Sequence, residues 1–596
     1  MNVQETVSIP RPEHPKPQFY RASWRNLNGL WDFDFDLTDS KKAQGWVEKT
    51  DYPHKILVPF CPESKLSGIG YTDFMDAVWY RRTIHISAEE LSGRILLHFG
   101  AVDYHCEVFV NGQSAGTHQG GYTSFMFDIT DLLMEGDNSL VVYASDHVRT
   151  NKQPAGKQST DYASHGCYYT RTTGIWQTVW LEFVPNTYLT SMEAIPDPDN
   201  ACVHLKLFTN TPAIGMTLKA KAMLDGACVG SITAQCSGSC TTIALPVSVK
   251  KLWEPASPTL YDLVLTLCDG GTIVDTVSSY FGLRSVALKD GAILLNNKPV
   301  FQRLVLDQGF YPDGIYTAPT EEALKRDIQL SMDMGFNGAR LHEKVFEERF
   351  LYWADKMGYL VWGEYPNWGL DVTNADALCI YLPEWLESVK RDFNHPAIVG
   401  WCPFNETWDF QGRRQDDRVL AGIYLATKAV DPTRPVIDTS GNFHVMTDIF
   451  DVHDYTQDPE EWAKRYGKGT EPYDKYANRQ HYNGEPFFMS EYGGTWWNAA
   501  AAAAALQCTD KNRTVSWGYG NRPMTEQEAG TRIAALTRIL LDNPRMCAFC
   551  YTQLTDVEQE QNGLYYYDRT PKFSEEVSQI IKEGFSAPAA IEEVVK

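Results

Sequence analysis

Residues 335–365 read GFNGARLHEKVFEERFLYWADKMGYLVWGEY and contain two short apolar runs, FNGARLH and YLVWGEY. The segment between them, VFEERFLYWADKMG, mixes apolar and charged residues in the manner of an amphipathic helix. A strand, a helix and a second strand in this order are typical of a parallel α/β domain.

The same alternation continues from about residue 284 to the end of the chain, and another helix is predicted at EEALKRDIQLSMDMG. The predicted strands are VFQRLVL, FNGARLH, YLVWGEY, IVGWCPFNE, PVIDTS, FDVHDY, PFFMSEY and MCAFCYTQ. Eight strands in about 300 residues predict a (β/α)8 TIM barrel over residues 284–596. The alanine-rich run at 498–507 is predicted to be a helix or loop insert after the seventh strand.

The first half of the chain has a different pattern. Over residues 1–183, short alternating strands such as VWYRRTIHI and CEVFVNG are separated by turns, which predicts an antiparallel β-sandwich. Over residues 184–283, strands such as HLKLFTN and YDLVLTLCD recur at a spacing of roughly ten residues, which predicts a smaller immunoglobulin-like sandwich. The chain is therefore expected to be multidomain.

Composition and charge exclude several classes of partner. The formal net charge is −23 and no basic stripe is visible, which argues against nucleic acid. The N-terminal residues lack a basic segment followed by an apolar one, and no run of eighteen apolar residues occurs. The thirteen cysteines are scattered without metal-type spacing. We therefore expect a cytoplasmic protein with no membrane partner and reduced thiols.

Polar side chains stand at the ends of most predicted barrel strands, where the active sites of such barrels lie. Among them, Glu406 and Glu491 end the fourth and seventh strands and are expected to face each other across the mouth. A retaining glycosidase needs two carboxyl groups about 5–5.5 Å apart, one as nucleophile and one as proton shuttle. A salt bridge or a loop cap is the alternative explanation for a single such glutamate.

Several segments carry a resemblance to a known family. NHPAIVGWCPFNETW (394–408) and PFFMSEYGG (486–494) resemble the acid/base and nucleophile segments of glycoside hydrolase family 2. GIWQTVWLE (174–182) is similar to the signature of its first domain, and GFNGARLH (335–342) to its second barrel strand. The family includes β-galactosidases, β-glucuronidases and β-mannosidases. The resemblance implies a sugar-binding, galactose-binding-like jelly roll, an immunoglobulin-like domain and a catalytic barrel.

The resemblance also implies roles for individual residues. Glu406 would be the general acid/base, kept protonated by burial, and Glu491 the nucleophile. Asn405 would bond the 2-hydroxyl of the sugar, and Arg340 would keep Glu491 ionised. The remaining candidates for contact with the sugar are His342, Asp307, His453, Tyr455 and Tyr551. Of these, His453 could equally be a core histidine, and Asp307 could merely cap a loop.

The sequence departs from the family pattern where the substrate is selected. Tyr168 stands where better-known members place an aspartate of the first sandwich in the sugar site. Glucuronidases carry an Asn-x-Lys element, but here Asn562 is followed two residues later by Leu564. Another cation would then have to bind a substrate carboxylate, and the candidates are Arg171, Arg340 and Lys344. Arg171 could instead pair with a surface acid or pack on an aromatic ring.

We therefore expect a retaining exo-β-glycosidase that acts on a terminal hexose or hexuronic acid, with a β-galactoside or β-galacturonide as the first choice. The alternatives are a β-glucuronidase, an α-L-arabinopyranosidase or a non-catalytic carbohydrate-binding protein. Transglycosylation is a further possibility, with an acceptor site formed by Trp368, Trp408 and Trp497. No metal or other cofactor is expected, because the retaining mechanism needs none. A homo-oligomer is possible, but no interface can be identified from the sequence.

Overall fold

The computed structural model describes residues 9–500 and 516–594. Most of the alanine-rich run lies outside the described residues, so its predicted conformation stays a prediction. None of the described helices is long and apolar enough to cross a membrane.

The first part of the structure is an antiparallel sandwich. A six-stranded sheet in the order β3-β2-β4-β10-β7-β8 faces a four-stranded sheet in the order β1-β12-β5-β9, and β6 pairs with β11. Apolar residues from both large sheets form one buried cluster between them. The strands are β1 Trp24–Asn26, β2 Gly29–Asp36, β3 His54–Val58, β4 Ala77–Ile86, β5 Arg94–Phe99, β6 Val102–Asp103, β7 His105–Val110, β8 Gln113–Gln119, β9 Phe125–Asp128, β10 Gly136–Ser145, β11 Gly174–Ile175 and β12 Val179–Val184.

A smaller sandwich follows, with sheets in the order β13-β14-β17 and β16-β15-β20-β21. Strand Tyr261–Asp269 alternates as predicted, with every second side chain from Tyr261 to Leu267 buried. The buried side chains of both sheets form a separate core. The strands are β13 Leu189–Asp197, β14 Cys202–Thr209, β15 Thr217–Leu224, β16 Ala227–Gln235, β17 Cys240–Pro246, β18 Trp253–Glu254, β19 Ser257–Pro258, β20 Tyr261–Asp269 and β21 Thr272–Phe281.

After a short meander (β22 Val286–Lys289, β23 Ala292–Leu295, β24 Lys298–Pro299), the chain forms the parallel barrel. Seven strands make one curled sheet in the order β28-β27-β26-β25-β33-β32-β31. The strands are β25 Gln302–Asp307, β26 Gly338–Leu341, β27 Leu360–Glu364, β28 Ile398–Cys402, β29 Phe404–Asn405, β30 Thr439–Ser440, β31 Phe450–Asp454, β32 Phe487–Gly493 and β33 Met546–Thr552. The eight predicted barrel strands are thus present.

The fifth barrel strand is shorter than PVIDTS predicts. Only Thr439–Ser440 is a strand, paired with β29, which continues β28. On the side of β30 that faces β31, side-chain hydrogen bonds take the place of backbone hydrogen bonds between strands. The carboxylate of Asp438 accepts hydrogen bonds from the backbone of Val445 and Met446, and Ser440 donates to Asp451 at 2.6 Å. The barrel therefore closes between β30 and β31 through polar side chains.

Helices cover the outside of the barrel. The helix predicted within residues 345–358 begins at Glu348 and ends at Met357, where Gly358 takes a left-handed φ of 73°. The described α-helices are Glu321–Asp333, Glu348–Met357, Ala377–Asp392, Asp417–Val430, Pro459–Tyr466, Glu526–Leu541, Glu575–Ser586 and Ile591–Val594. Short 3-10 helices lie in the first sandwich at Lys42–Gln44, Lys65–Ser67, Glu90–Ser92, Thr130–Leu132 and Val148–Thr150.

Candidate active site

The barrel brings the two predicted glutamates together. Glu406 directly follows β29 and Glu491 lies in β32, and the two residues are 85 positions apart in the chain. One oxygen of each carboxylate and one ring nitrogen of His453 all lie within 4.8 Å of one another. This separation matches the geometry of double displacement and leaves no room for the water that an inverting enzyme places between its carboxyl groups.

Glu491 is 4% exposed and is held at both oxygens. Arg340 donates to Oε1 at 3.3 Å, and the hydroxyl of Tyr455 donates to Oε2. Nδ1 of His342 lies 4.0 Å from Oε1, and Nδ1 of His453 lies 3.4 Å from Oε2. These donors aim the carboxylate into the barrel mouth, which is the position that a nucleophile requires.

The side chain of Glu406 is 20% exposed and contacts His453, with Oε1 at 2.7 Å from Nδ1. Burial is the largest single influence on Glu406 and raises its pKa. The hydrogen bond and charge of His453, together with the charges of Lys157 and Lys475, outweigh burial, so the net pKa lies below the ordinary value. The prediction that burial keeps Glu406 protonated is therefore wrong. Burial favours the protonated carboxyl group, but the hydrogen bond and the positive charges around it together favour the ionised form more.

The second ring nitrogen of His453, Nε2, is also held by a hydrogen bond. Ser440 donates its only proton to Asp451 at 2.6 Å, so its oxygen accepts from Nε2–H of His453 at 2.9 Å. Nδ1 can then donate to an ionised Glu406 or accept from a protonated Glu406. The arrangement lets one proton move between Nδ1 and Oε1, and Glu406 can carry that proton toward a leaving group.

Arg340 forms the floor of the site and is completely buried. Besides Glu491, it donates to Glu364 at 2.5 Å and to Oδ1 of Asn405 at 3.1 Å. Glu364 also accepts from His342 at 3.0 Å, and burial lowers the pKa of His342 well below its ordinary value. Among the described residues, Nδ2 of Asn405 has no hydrogen-bond partner, so it is available to a sugar hydroxyl.

Glu406 also lines an open cleft of about 620 Å³, whereas Glu491 does not. The lining of this cleft combines polar residues with four aromatic ones: Tyr168, Trp368, Trp408 and Phe410. Tyr168, the candidate site residue from the first sandwich, therefore lies at this cleft. Its ring centroid is 5.3 Å from that of Trp368.

Tyr551 does not face the sugar site, contrary to the prediction. It is fully buried, and its ring packs against Tyr492 and against Phe585 of an outer helix. Successive side chains of a strand point to opposite faces. In β33, Thr552 therefore points inward and contacts Tyr455 at 3.1 Å, whereas Tyr551 points outward.

Two predicted cations also lie outside the site. Arg171 donates to the backbone carbonyls of Ser159, Asp161 and Thr72, all in the first sandwich, and its guanidinium lies over Phe74. The ammonium group of Lys344 donates hydrogen bonds to the backbone carbonyls of Gly309 and Tyr316. Neither side chain can reach a substrate carboxylate without breaking these bonds.

Asp307 caps its own loop, accepting from the backbone of Gly309 at 2.9 Å. Burial, followed by the charge of Asp327, raises the pKa of Asp307 to about 7. This environment corresponds to the loop-cap alternative, and among the described residues no hydrogen bond or ion pair links Asp307 to either glutamate.

Sequence reasoning missed Lys157, which the first sandwich contributes to the barrel mouth. The side chain is 5% exposed, and its charge lowers the pKa values of Glu406 and His342. No motif pointed to it, because the loop that carries it lies far from the barrel in sequence. The adjacent Gly156, with a φ of +57°, was the one local signal of a close backbone approach.

Two clusters in the described part of the chain have side chains of metal-binding types. One is Glu406, His453 and Glu491 itself, and the other is Asp197, Cys202 and His204 at a turn of the smaller sandwich. In the first cluster, hydrogen bonds from Arg340 and Tyr455 already occupy both oxygens of Glu491. The first cluster therefore fits proton transfer and nucleophilic attack better than metal binding.

Comparisons with known proteins agree with this architecture. Family models match in chain order: "Glycosyl hydrolases family 2, sugar binding domain" at residues 24–185, "Glycosyl hydrolases family 2" at 197–284 and "Glycosyl hydrolases family 2, TIM barrel domain" at 286–576. The three matches cover most of the chain.

Curated relatives carry two kinds of name. A putative β-glucuronidase of Formosa agariphila is 28% identical over 440 residues, which is 70% of this chain and 50% of that protein. A β-galactosidase of Lactococcus lactis is 28% identical over 69% of this chain and 42% of its own length. The chain thus spans half or less of these two relatives. The β-glucuronidase of Felis catus is 25% identical over 79% of this chain and 77% of its length.

A solved structure of a β-glucuronidase from Ruminococcus gnavus, in complex with an N1-substituted uronic isofagomine, matches 97% of this chain and 100% of its own. The TM-score is 0.76 at 18% identity, which is a likeness of fold. The three ordered family matches lead to one conclusion: the chain belongs to glycosyl hydrolase family 2.

Proposed function

We propose that the protein is a retaining exo-β-glucuronidase. The observation that carries the catalytic part is the approach of Glu406, Glu491 and His453 within 4.8 Å. The names of the relatives support the glucuronide, since most of those above are called β-glucuronidases. The galacto-configured sugar predicted from the sequence has less support, although one relative is a β-galactosidase.

In the first step, Glu491 attacks the anomeric carbon while Glu406 protonates the departing oxygen. The bond from the anomeric carbon to the leaving oxygen breaks, and a bond from that carbon to Glu491 forms. Arg340 and Tyr455, which hold Glu491, stabilise the anion before attack and position it for bond formation. The proton travels from Nδ1 of His453 to Glu406 along the 2.7 Å hydrogen bond.

In the second step, Glu406 is ionised and removes a proton from water, which attacks the anomeric carbon and releases Glu491. Two inversions at one carbon give net retention. The leaving group departs through the aromatic cleft beside Glu406, where Trp408 is 53% exposed. The aromatic rings in its lining favour a leaving group with an aromatic or other apolar face.

The test is a panel of 4-nitrophenyl β-glucuronide, β-galacturonide, β-galactoside, β-glucoside and α-L-arabinopyranoside. We expect the highest kcat/KM with the glucuronide and its near-complete loss in Glu491→Gln. Highest activity on the galactoside would reject the glucuronide assignment. Unchanged turnover in Glu491→Gln would reject the mechanism, and carbohydrate binding without any turnover would favour a non-catalytic protein.

A further inference from the structure

Lys157 is a buried residue whose ammonium group has no hydrogen-bond acceptor among the described residues. The side chain is 5% exposed, yet over residues 9–500 and 516–594 its Nζ makes neither a hydrogen bond nor an ion pair. Buried lysines are normally paired. The two other lysines with comparable burial follow this rule: Lys344 donates to two carbonyls, and Lys572 donates to Asp556.

The backbone holds Lys157 in this position. The amides of Ala155 and Gly156 donate to the carbonyl of Trp368 at 2.7 and 3.0 Å, and the carbonyl of Lys157 accepts from Tyr169 at 2.7 Å. A Cβ at Gly156 would lie 2.5 Å from the carbonyl of Glu343, so only glycine permits the approach. The loop of the first sandwich is therefore fixed against the barrel.

The ammonium group of Lys157 packs on the ring of Trp368. It stands 3.7 Å from the centre of that ring, and Trp368 donates its indole N–H to the carbonyl of Asn405, next to the acid/base. Lys157 is absent from the walls of the leaving-group cleft, whereas Trp368 belongs to them. Its charge acts on His342, which lies 4.0 Å from the nucleophile. Lys157 therefore lies close to the catalytic groups, through Trp368 and Asn405, without lining the leaving-group cleft.

Neighbouring acids do not neutralise this charge by contact. Burial lowers the pKa of Lys157, but the acidic groups of Cys167, Glu560, Glu491 and Glu343 raise it more. Burial in turn raises the pKa of both Glu343 and Glu560. Tyr169 and Asn562 donate to Glu560, whereas Oε1 of Glu343 is buried without a partner.

We propose that Lys157 binds the carboxylate of a hexuronic acid at the cleaved end of the substrate. An anionic group of the sugar would complete the missing ion pair. The inference rests on the proposed glycosidase activity and assigns its preference for uronic acids to a residue of the first sandwich. Lys157 is thus a specificity-determining residue supplied from outside the barrel.

The experiment compares Lys157→Met with the parent on pairs of substrates that differ only at C6. The pairs are 4-nitrophenyl β-glucuronide with β-glucoside and β-galacturonide with β-galactoside. Removing one partner of a buried charge pair predicts a fall of about 30-fold or more in the uronide-to-hexoside ratio of kcat/KM. An effect of the lost charge on Glu406 acts on both members of a pair and cancels in the ratio.

Lys475→Met is the matched control, because exposed Lys475 also lowers the pKa of Glu406 but donates only to the carbonyl of His453. The uronide-to-hexoside ratio of kcat/KM is expected to stay unchanged in Lys475→Met. Lys157→Arg is expected to keep part of the ratio that Lys157→Met loses. Inhibition constants for free glucuronate and free glucose provide the same ratio without catalysis.

A parallel loss on uronides and hexosides in Lys157→Met would show a structural lysine and overturn the inference, leaving the glycosidase intact. A parent that prefers the hexoside of each pair would also overturn it. A parent inactive on all four glycosides would instead reject the proposed function.

Discussion

Replacing Glu406 with glutamine removes the proton that the departing oxygen needs, so the loss of activity depends on the leaving group. Glutamine has nearly the same size as the glutamate whose Oε1 lies 2.7 Å from Nδ1 of His453. Its amide cannot donate an acidic proton. General acid catalysis contributes about 10²–10⁴-fold, which corresponds to about 3–5 kcal/mol of transition-state stabilisation. We expect this full loss in kcat/KM for a phenyl glycoside, whose phenoxide is a poor leaving group.

A 2,4-dinitrophenyl glycoside leaves without protonation, so its kcat/KM should fall by less than about tenfold in Glu406→Gln. The assay compares kcat/KM for the two substrates, because this parameter reports the step that breaks the glycosidic bond. Glu558→Gln is the matched control, since Glu558 is a loop glutamate with a similar φ, 48° against 47°, whose Oε1 accepts from Thr170. Equal losses for both substrates, or no loss for the phenyl glycoside, would refute the assignment of Glu406.

Three further predictions concern groups around the pair. Tyr455→Phe removes the hydroxyl that donates to Glu491 and should lower kcat/KM by roughly 10–100-fold, the value of a hydrogen bond to a charged group; a change below threefold would contradict this. The raised pKa of Asp307, about 7 in the folded state, means that its contribution to stability is present below about pH 4 and lost as the pH rises to 7. Asp307→Asn should remove up to about 4 kcal/mol of this pH dependence, so the melting temperature of the variant should change less than that of the parent between pH 4 and 7. An equal change of melting temperature with pH in both proteins would contradict the prediction. Prolonged treatment with a chelator should leave activity within twofold, because Glu406, His453 and Glu491 are assigned to proton transfer and attack; a loss that a divalent cation restores would show a metal at this cluster.

The fold could be predicted from the sequence because its patterns are local. Alternation in strands such as Tyr261–Asp269 and the helix that ends at Gly358 both depend on neighbouring residues. The strand around Thr439–Ser440 was overestimated, since PVIDTS is apolar enough for a strand but Asp438 diverts the backbone with its side-chain hydrogen bonds. The domain limits 1–183, 184–283 and 284–596 stay a prediction.

The site was predictable only where residues end barrel strands. Glu406 and Glu491 were identified because the topology brings the carboxyl ends of parallel strands together. Tyr551 was misplaced because the inward face of β33 is set by register, which the apolar run MCAFCYT does not reveal. Lys157 was missed since its position depends on how the first sandwich docks on the loop of Trp368. The hydrogen bond that lowers the pKa of Glu406 likewise depends on a tertiary contact.

The most direct test of double displacement is the anomer that is released first. Proton NMR during rapid hydrolysis of 4-nitrophenyl β-glucuronide distinguishes the α and β anomers before mutarotation mixes them. Carboxyl groups whose oxygens approach within 4.8 Å predict that the β anomer appears first. Initial release of the α anomer would mean that water attacks in a single displacement and would contradict the roles assigned to Glu406 and Glu491.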